Sequence, residues 1–180
     1  MISPEELIGK DAIALTLWLK QYLGIYECRY IVHLPKSDNV GAYEFSGDCE
    51  VIEKVHSEYT KKDPNYEVGF QSKVIKNGKT YHLPMLDFTS LGVSNIHDAK
   101  LFLKKIHESG FILNTGKCFH FYGTRLLSEN EWESFMKMSS KYKEIGNKYP
   151  SHQLRRGEAT LRQTKSALKP TKPTVVAFQK

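Results

Sequence analysis

Long apolar runs are missing from this 180-residue chain. No stretch approaches the roughly 20 apolar residues needed to cross a bilayer. The opening MISPEELIGKDAIALTLWLK begins with acids and lacks a basic region followed by a small-residue cleavage site, so no secretory signal is expected. Cysteine is scarce as well: Cys28, Cys49 and Cys118 are odd in number and far apart. That pattern fits reduced thiols in a cytoplasm better than a disulfide framework or a zinc site. Internal repeats, heptads and low-complexity tracts are also missing, apart from a short Lys/Pro/Thr stretch near the C-terminus.

What remains is a soluble, globular composition with 40% hydrophobic and 26% charged residues, enough for one ordinary domain with a real core. The net charge is +6, and it is unevenly spread. From Met136 to Lys180, eleven Lys or Arg face only Glu144 and Glu158, so this quarter carries +9 and the first 135 residues carry −3. A basic end on a near-neutral body points to an anionic partner, nucleic acid or a nucleotide. A solvated basic surface would give the same count.

Ser3, Pro4, Glu5 and Glu6 predict the start of a helix over residues 4–23, ended by Gly24. YECRYIVHLP, residues 26–35, reads as a strand, 36–47 as loop and 48–62 as a helix. EVGFQSKVI and TYHLPMLDF read as two strands joined at Lys76-Asn77-Gly78-Lys79, with Pro84 at an edge or bulge. Asn95 or Ser94 caps a helix running to Ser109, with Leu101, Phe102 and Ile106 as its core face. FILN and CFHFYG are strands around Thr115-Gly116-Lys117. Ser128 to Glu131 is a capping box opening a helix to about residue 143. A last pair of strands is expected at 153–164 and 173–178. The order predicts an α+β fold, helices against a mostly antiparallel sheet, with residues 1–65 as an N-terminal extension on a core of 66–180.

Three segments carry candidate chemistry. In HLPMLDFTS, residues 82–90, Asp87 brings a carboxylate to a strand end, but the next residue on the same face is Thr89. Metal-dependent nucleotidyl transfer needs two or more clustered carboxylates. A lone strand-end Asp also serves as a turn or helix cap. In NTGKCFHFYG, residues 114–123, the turn Thr115-Gly116-Lys117 offers backbone N–H groups and an ammonium, and His120 follows on a strand facing away from Phe119 and Phe121. A strand histidine satisfied by its neighbours is the plainer alternative. In HQLRRGEATLRQT, residues 152–164, Arg155, Arg156 and Arg162 gather in one region read as a strand, Arg156 and Arg162 on one face and Arg155 on the other. Arginine forks match phosphate. Surface ion pairs would use them equally well.

Taken in order, these segments resemble the archaeo-eukaryotic primase superfamily. That family carries an Asp-x-Asp or Asp-x-Glu strand, a later Ser-Gly-x-x-x-His hairpin, a third acid, and then a Leu-Arg strand. Asp87 matches the first acid, Thr115 to His120 the histidine motif, and Leu161-Arg162 the late arginine. FHFYGTRLLSENEWESF, SHQLRRGEATLR and PTVVAF look like small bacterial primase-like proteins, and the resemblance covers about residues 80–178. It implies a primase-like, RRM-like core. It implies Asp87 and His120 as the catalytic positions, Asp87 as a metal ligand, and Mg²⁺ or Mn²⁺ as cofactor if the protein is active. It also implies Thr115, Gly116, Lys117, His120 and Arg162 as the nucleotide side. The basic stretch adds Arg155, Arg156, Arg162 and Lys165 as contacts to nucleic acid.

The departures matter as much. Thr89 stands where the second acid belongs, and Gly146 or Asn147 where the third does. The expectation is therefore a primase-like protein that binds nucleotide or nucleic acid with degenerate catalysis, in a phage, plasmid or defence setting. An active primase-polymerase drawing acids from Glu158, Asp98 or another chain is the first alternative. A protein-interaction module that reuses the fold is the second. A protein partner encoded nearby is a further expectation, and no membrane partner is expected.

Overall fold

The computed structural model describes residues 2–34 and 43–180. Most of the loop expected at 36–47 therefore lies outside the described residues. The chain starts with a 3-10 turn, Pro4–Leu7, in which the Ser3 N–H donates to the Glu6 carboxylate at 2.7 Å. The single helix expected over 4–23 is broken there. Gly9 adopts a left-handed φ of +89°, and Asp11 starts α1, Ala12–Tyr22, by accepting the Ala14 N–H on its side chain at 2.9 Å.

The strands form two sheets. The first contains β1 (Glu27–His33), β2 (Tyr43–Phe45), β3 (Glu67–Lys76) and β4 (Lys79–His82), with α2 (Cys49–Thr60) between β2 and β3 in sequence. Asn77 and Gly78 both have positive φ, the geometry of the tight hairpin turn read from their sequence. β1 pairs with β3 along one edge, so strands from before and after residue 65 share one hydrogen-bonded sheet. The other edge of β3 is shared. Its C-terminal half pairs with β4, and its first half with a short late strand, β8 (Thr160–Arg162).

The second sheet runs β5 (Met85–Asp87), β7 (Phe119–Gly123), β6 (Gly110–Asn114), β9 (Thr174–Gln179), all antiparallel. The single strand expected over TYHLPMLDF is thus two strands in different sheets. Pro84 has no N–H to continue the β3 ladder, and its carbonyl instead accepts the Gly123 N–H at 2.8 Å. Gly123 is needed at this crossing, because a Cβ there would come within 2.7 Å of the Pro84 ring.

Between the sheets lies a buried core. Phe70 of β3 faces Tyr122 of β7 at 6.3 Å, and Gln163 Nε2 donates to the Tyr122 hydroxyl at 2.7 Å. Trp18 of α1 meets Phe111 of β6 edge-on at 5.2 Å. α3, Ile96–Lys105, is capped by Asn95, which accepts the Asp98 N–H. It packs Phe102 edge-on against Phe88 at 5.7 Å, while Leu101, expected in its core face, is exposed. α4, Glu129–Ser139, opens with the capping box read from Ser128 and Glu131. Its Trp132 stacks on His82 of β4 at 4.5 Å, so it is anchored to the first sheet.

Residues 148–156 hold the largest revision. They form a helix, α5 (Lys148–Arg156), which takes in the start of the strand expected over 153–164; of that stretch only Thr160–Arg162 is strand. Tyr149, Pro150 and Gln153 turn inward, and Gly157 ends the helix at φ +73°. No described helix is long and apolar enough to cross a membrane.

Candidate functional site

Antiparallel pairing of β5 with β7 sets Asp87 directly opposite His120. Directly opposed strand residues project from the same face of a sheet. An Asp87 oxygen lies 3.7 Å from His120 Nε2. His120 is buried, with 8% of its side chain exposed, and its Nδ1 has no hydrogen-bond partner. Burial first, then the nearby Arg162 and Lys169 charges, lower its pKa to about 3, so the ring is neutral at physiological pH. Asp87 keeps 45% of its side chain open to solvent. Even so, its surroundings strip enough hydration to raise its pKa to about 6, against the pull of Lys169 and Arg162.

The histidine turn is knitted to itself. The Thr115 hydroxyl donates to the Cys118 carbonyl at 2.9 Å, and the Gly116 N–H goes to the Asn114 side chain at 2.7 Å. The Cys118 N–H is taken by the Thr115 hydroxyl at 3.3 Å. The exposed Lys117 side chain is therefore a freer donor than the Gly116 and Cys118 amides. Gly116 has φ +94°, and a Cβ there would sit 2.5 Å from the Thr171 hydroxyl, so the segment after β8 rests against this turn.

Arg162 holds that segment. Its Nη1 donates to the carbonyls of Thr164 and Thr171, each at 2.7 Å, and its Nη2 to the Thr115 carbonyl at 3.2 Å. The phosphate fork expected of Arg162 is instead turned onto backbone carbonyls, and the residue is only 7% exposed. It bears on the site through its charge and by clamping residues 164–171 to the histidine turn. Lys169, on the clamped segment, reaches the buried carboxylate of Glu67 at 3.3 Å. Ser166 donates to the same group at 2.8 Å.

The other expected residues are dispersed. Arg155 and Arg156 lie on α5 and not on a strand with Arg162. Arg156 is 4.0 Å from Glu158, and Lys165 is exposed, its carbonyl accepting from His56 Nε2 at 2.9 Å. Lys169, Glu67, Tyr149 and Lys148 were missed. A helical reading of 148–156 would have put Lys148 and Arg155 on one face, and the signal was Gly157 following two arginines.

The positions where further acids belong do meet in space. The Thr89 hydroxyl donates to the Lys143 carbonyl at 2.9 Å, and the Thr89 N–H to the Glu144 carbonyl at 2.8 Å. A Cβ on Gly146 would stand 3.3 Å from the Thr89 methyl. No carboxylate comes from either position. Among the described residues, no group of three His, Cys, Asp or Glu side chains converges to hold a metal. The donor set here does not fit a pair of divalent ions, which need several converging oxygens.

Two antiparallel sheets with helices against them, and a strand-end aspartate opposed to a histidine behind a glycine turn, define a primase-like α+β protein. Residues 51–175 match the model of the AEP-like family, archaeo-eukaryotic primase 1D-like, and the chain belongs to that family. Comparison with the curated proteins gives no match, and comparison with the solved structures gives none either.

Proposed function

We propose that this protein binds a nucleotide or nucleic acid beside Asp87 and His120 and does not carry out two-metal nucleotidyl transfer. The observation that carries this reading is the use of Thr89. Its hydroxyl and N–H are both engaged with the backbone at Lys143 and Glu144, where a transferase would present a carboxylate. Asp87 alone cannot displace enough water from Mg²⁺ to hold two ions. The acids considered as substitutes are engaged elsewhere. Asp98 accepts the Ser94 N–H and hydroxyl at the start of α3, and Glu158 accepts from Gln71 beside Arg156.

The ligand side rests on Lys117, the neutral His120 ring and the cations behind it, Arg162 and Lys169, which favour an anion. The test is a nucleoside triphosphate titration followed by a primer-extension assay with Mg²⁺ and with Mn²⁺. Triphosphate binding that weakens in His120→Ala, with no extension product, is the expected result. Products from the wild type that vanish in Asp87→Ala would move the protein to the active class. A second reading, a protein-interaction module, draws on a groove of about 450 Å³ in which Ile106, Leu127, Phe135 and Met138 lie among polar residues that include Glu108 and Arg125. An absence of nucleotide and nucleic-acid binding would favour it.

A further inference from the structure

The outer face of α5 carries Lys148, His152 and Arg155 at helical positions i, i+4 and i+7, so they stand in one line. With Asn147 and Ser151 they line a concavity of about 510 Å³. All five residues are exposed and polar, and no Leu, Ile, Val, Met, Phe, Tyr or Trp lines the hollow. Neither Lys148 nor Arg155 has an ion-pair partner among the described residues. Cations grouped without a counter-charge repel one another, and an external anion relieves that repulsion.

The inner face fixes where this line points. The half-buried Tyr149 donates its hydroxyl to the Met85 carbonyl at 3.4 Å, two residues before Asp87. Gln153 accepts the Thr160 N–H at 3.1 Å. α5 is thus held at both ends, to β5 and to β8, and its basic line cannot roll away from the Asp87 strand. Seven residues of helix span roughly 10 Å. That matches about three base-pair steps of roughly 3.4 Å measured along a duplex axis.

We propose that the outer face of α5 is a phosphate-contact surface for a polynucleotide, seating its backbone beside the Asp87 end of β5. The inference rests on the nucleic-acid reading above and adds the surface that reading leaves unassigned. The polar lining favours a nucleic-acid backbone over an anionic membrane, which an apolar flank would be needed to enter.

The test is fluorescence anisotropy with a labelled single-stranded oligonucleotide, as DNA and as RNA, between about 50 and 200 mM salt. The double variant Lys148→Ala/Arg155→Ala is compared with Lys54→Ala/Lys61→Ala, which removes the same charge from exposed positions on and just beyond α2. The α5 variant should bind about tenfold more weakly at low salt, and its log K against log salt should be shallower by about 1.4, two contacts at about 0.7 each. The α2-side control should stay within about twofold, and triphosphate affinity at His120 should not change. Equal losses in the two variants would reduce the effect to net charge and overturn the assignment, as would wild-type affinity in the α5 variant. An oligonucleotide that fails to bind the wild type at low salt refutes the nucleic-acid reading itself. Binding to phosphatidylserine vesicles in its place, lost in the α5 variant, would reassign the surface to membranes. Displacement by inorganic phosphate alone at equal phosphate concentration would reduce it to a free-anion site.

Discussion

Replacing Asp87 with Asn should stabilise the protein at neutral pH and leave it unchanged in acid. The folded carboxyl has its pKa raised from 3.8 to about 6, chiefly by loss of hydration. Between those values the folded chain holds more protons than the unfolded one. Stability then falls as pH rises through that window, and the whole deficit is present above pH 6. The gap corresponds to a ceiling of about 3 kcal/mol. Because 45% of the side chain is exposed, solvent screening brings the effect of Asp87→Asn to about 1 kcal/mol. His120 works in the opposite direction: its pKa is lowered to about 3, so its contribution is lost as pH falls below 6.5. Comparing the two proteins at each pH cancels that second effect. Urea unfolding at about pH 7.5 and about pH 4 gives the measurement. The variant should be more stable at the higher pH, and the difference should close at the lower. A variant less stable at neutral pH would mean that Arg162 and Lys169 hold the carboxylate in its charged form, and the argument from desolvation would fail. Excess Mg²⁺ that raised wild-type stability to the level of the variant would show that Asp87 does hold an ion.

Arg162→Ala should cost about 3 kcal/mol in urea unfolding, because the buried carbonyl of Thr164 and the part-buried ones of Thr171 and Thr115 lose a charged donor; protease cleavage within 164–171 should rise with it. Gly92→Ala should destabilise by about 2 kcal/mol or more, since its Cβ would come within 2.4–2.7 Å of the Lys143 and Glu144 backbone. A melting temperature equal to the wild type would show that the 143–146 segment yields freely. Ser128→Ala should cost about 1 kcal/mol by removing the α4 cap, read by thermal melting. Thr89→Asp should give no primer extension and a lower melting temperature than the wild type.

Where a short stretch of chain decided its own conformation, the sequence was readable. Asn77-Gly78 adopts the turn its positive φ values allow, and Asn95 and Ser128 accept the first N–H groups of their helices. The Asp87–His120 pairing is a matter of tertiary arrangement, since nothing local in either strand says which neighbour it takes. α5 was misread because its residues support two readings. Tyr149 and Gln153 settle the matter only by reaching Met85 and Thr160, 64 and 7 positions away. Arg162 was assigned a phosphate because a free guanidinium matches one. Its carbonyl partners come from the chain's return after β8 and from the histidine turn 47 residues earlier, which no spacing rule anticipates. Pro84 was recognised as a disruption of its strand, but that the chain changes sheets there depends on Gly123 lying beneath it.

Position 89 shows why the site is more than one substitution from a metal centre. Its hydroxyl lies 2.9 Å from the Lys143 carbonyl oxygen and 3.4 Å from that of Glu144. A carboxylate at the same place would set acceptor against acceptor, with no proton between them. Either the side chain would swing away or the connection between α4 and α5 would have to move. That connection is tightly seated, for Gly92 admits no Cβ against it and a Cβ on Gly146 would stand 3.3 Å from the Thr89 methyl. Moving it would also shift α5, whose Tyr149 is bonded to the carbonyl of Met85 on the Asp87 strand. The missing acid and the placement of the basic helix are therefore coupled through one segment. An acidic residue at 89 would have to be accompanied by a different path from 143 to 147 before its oxygens could face Asp87.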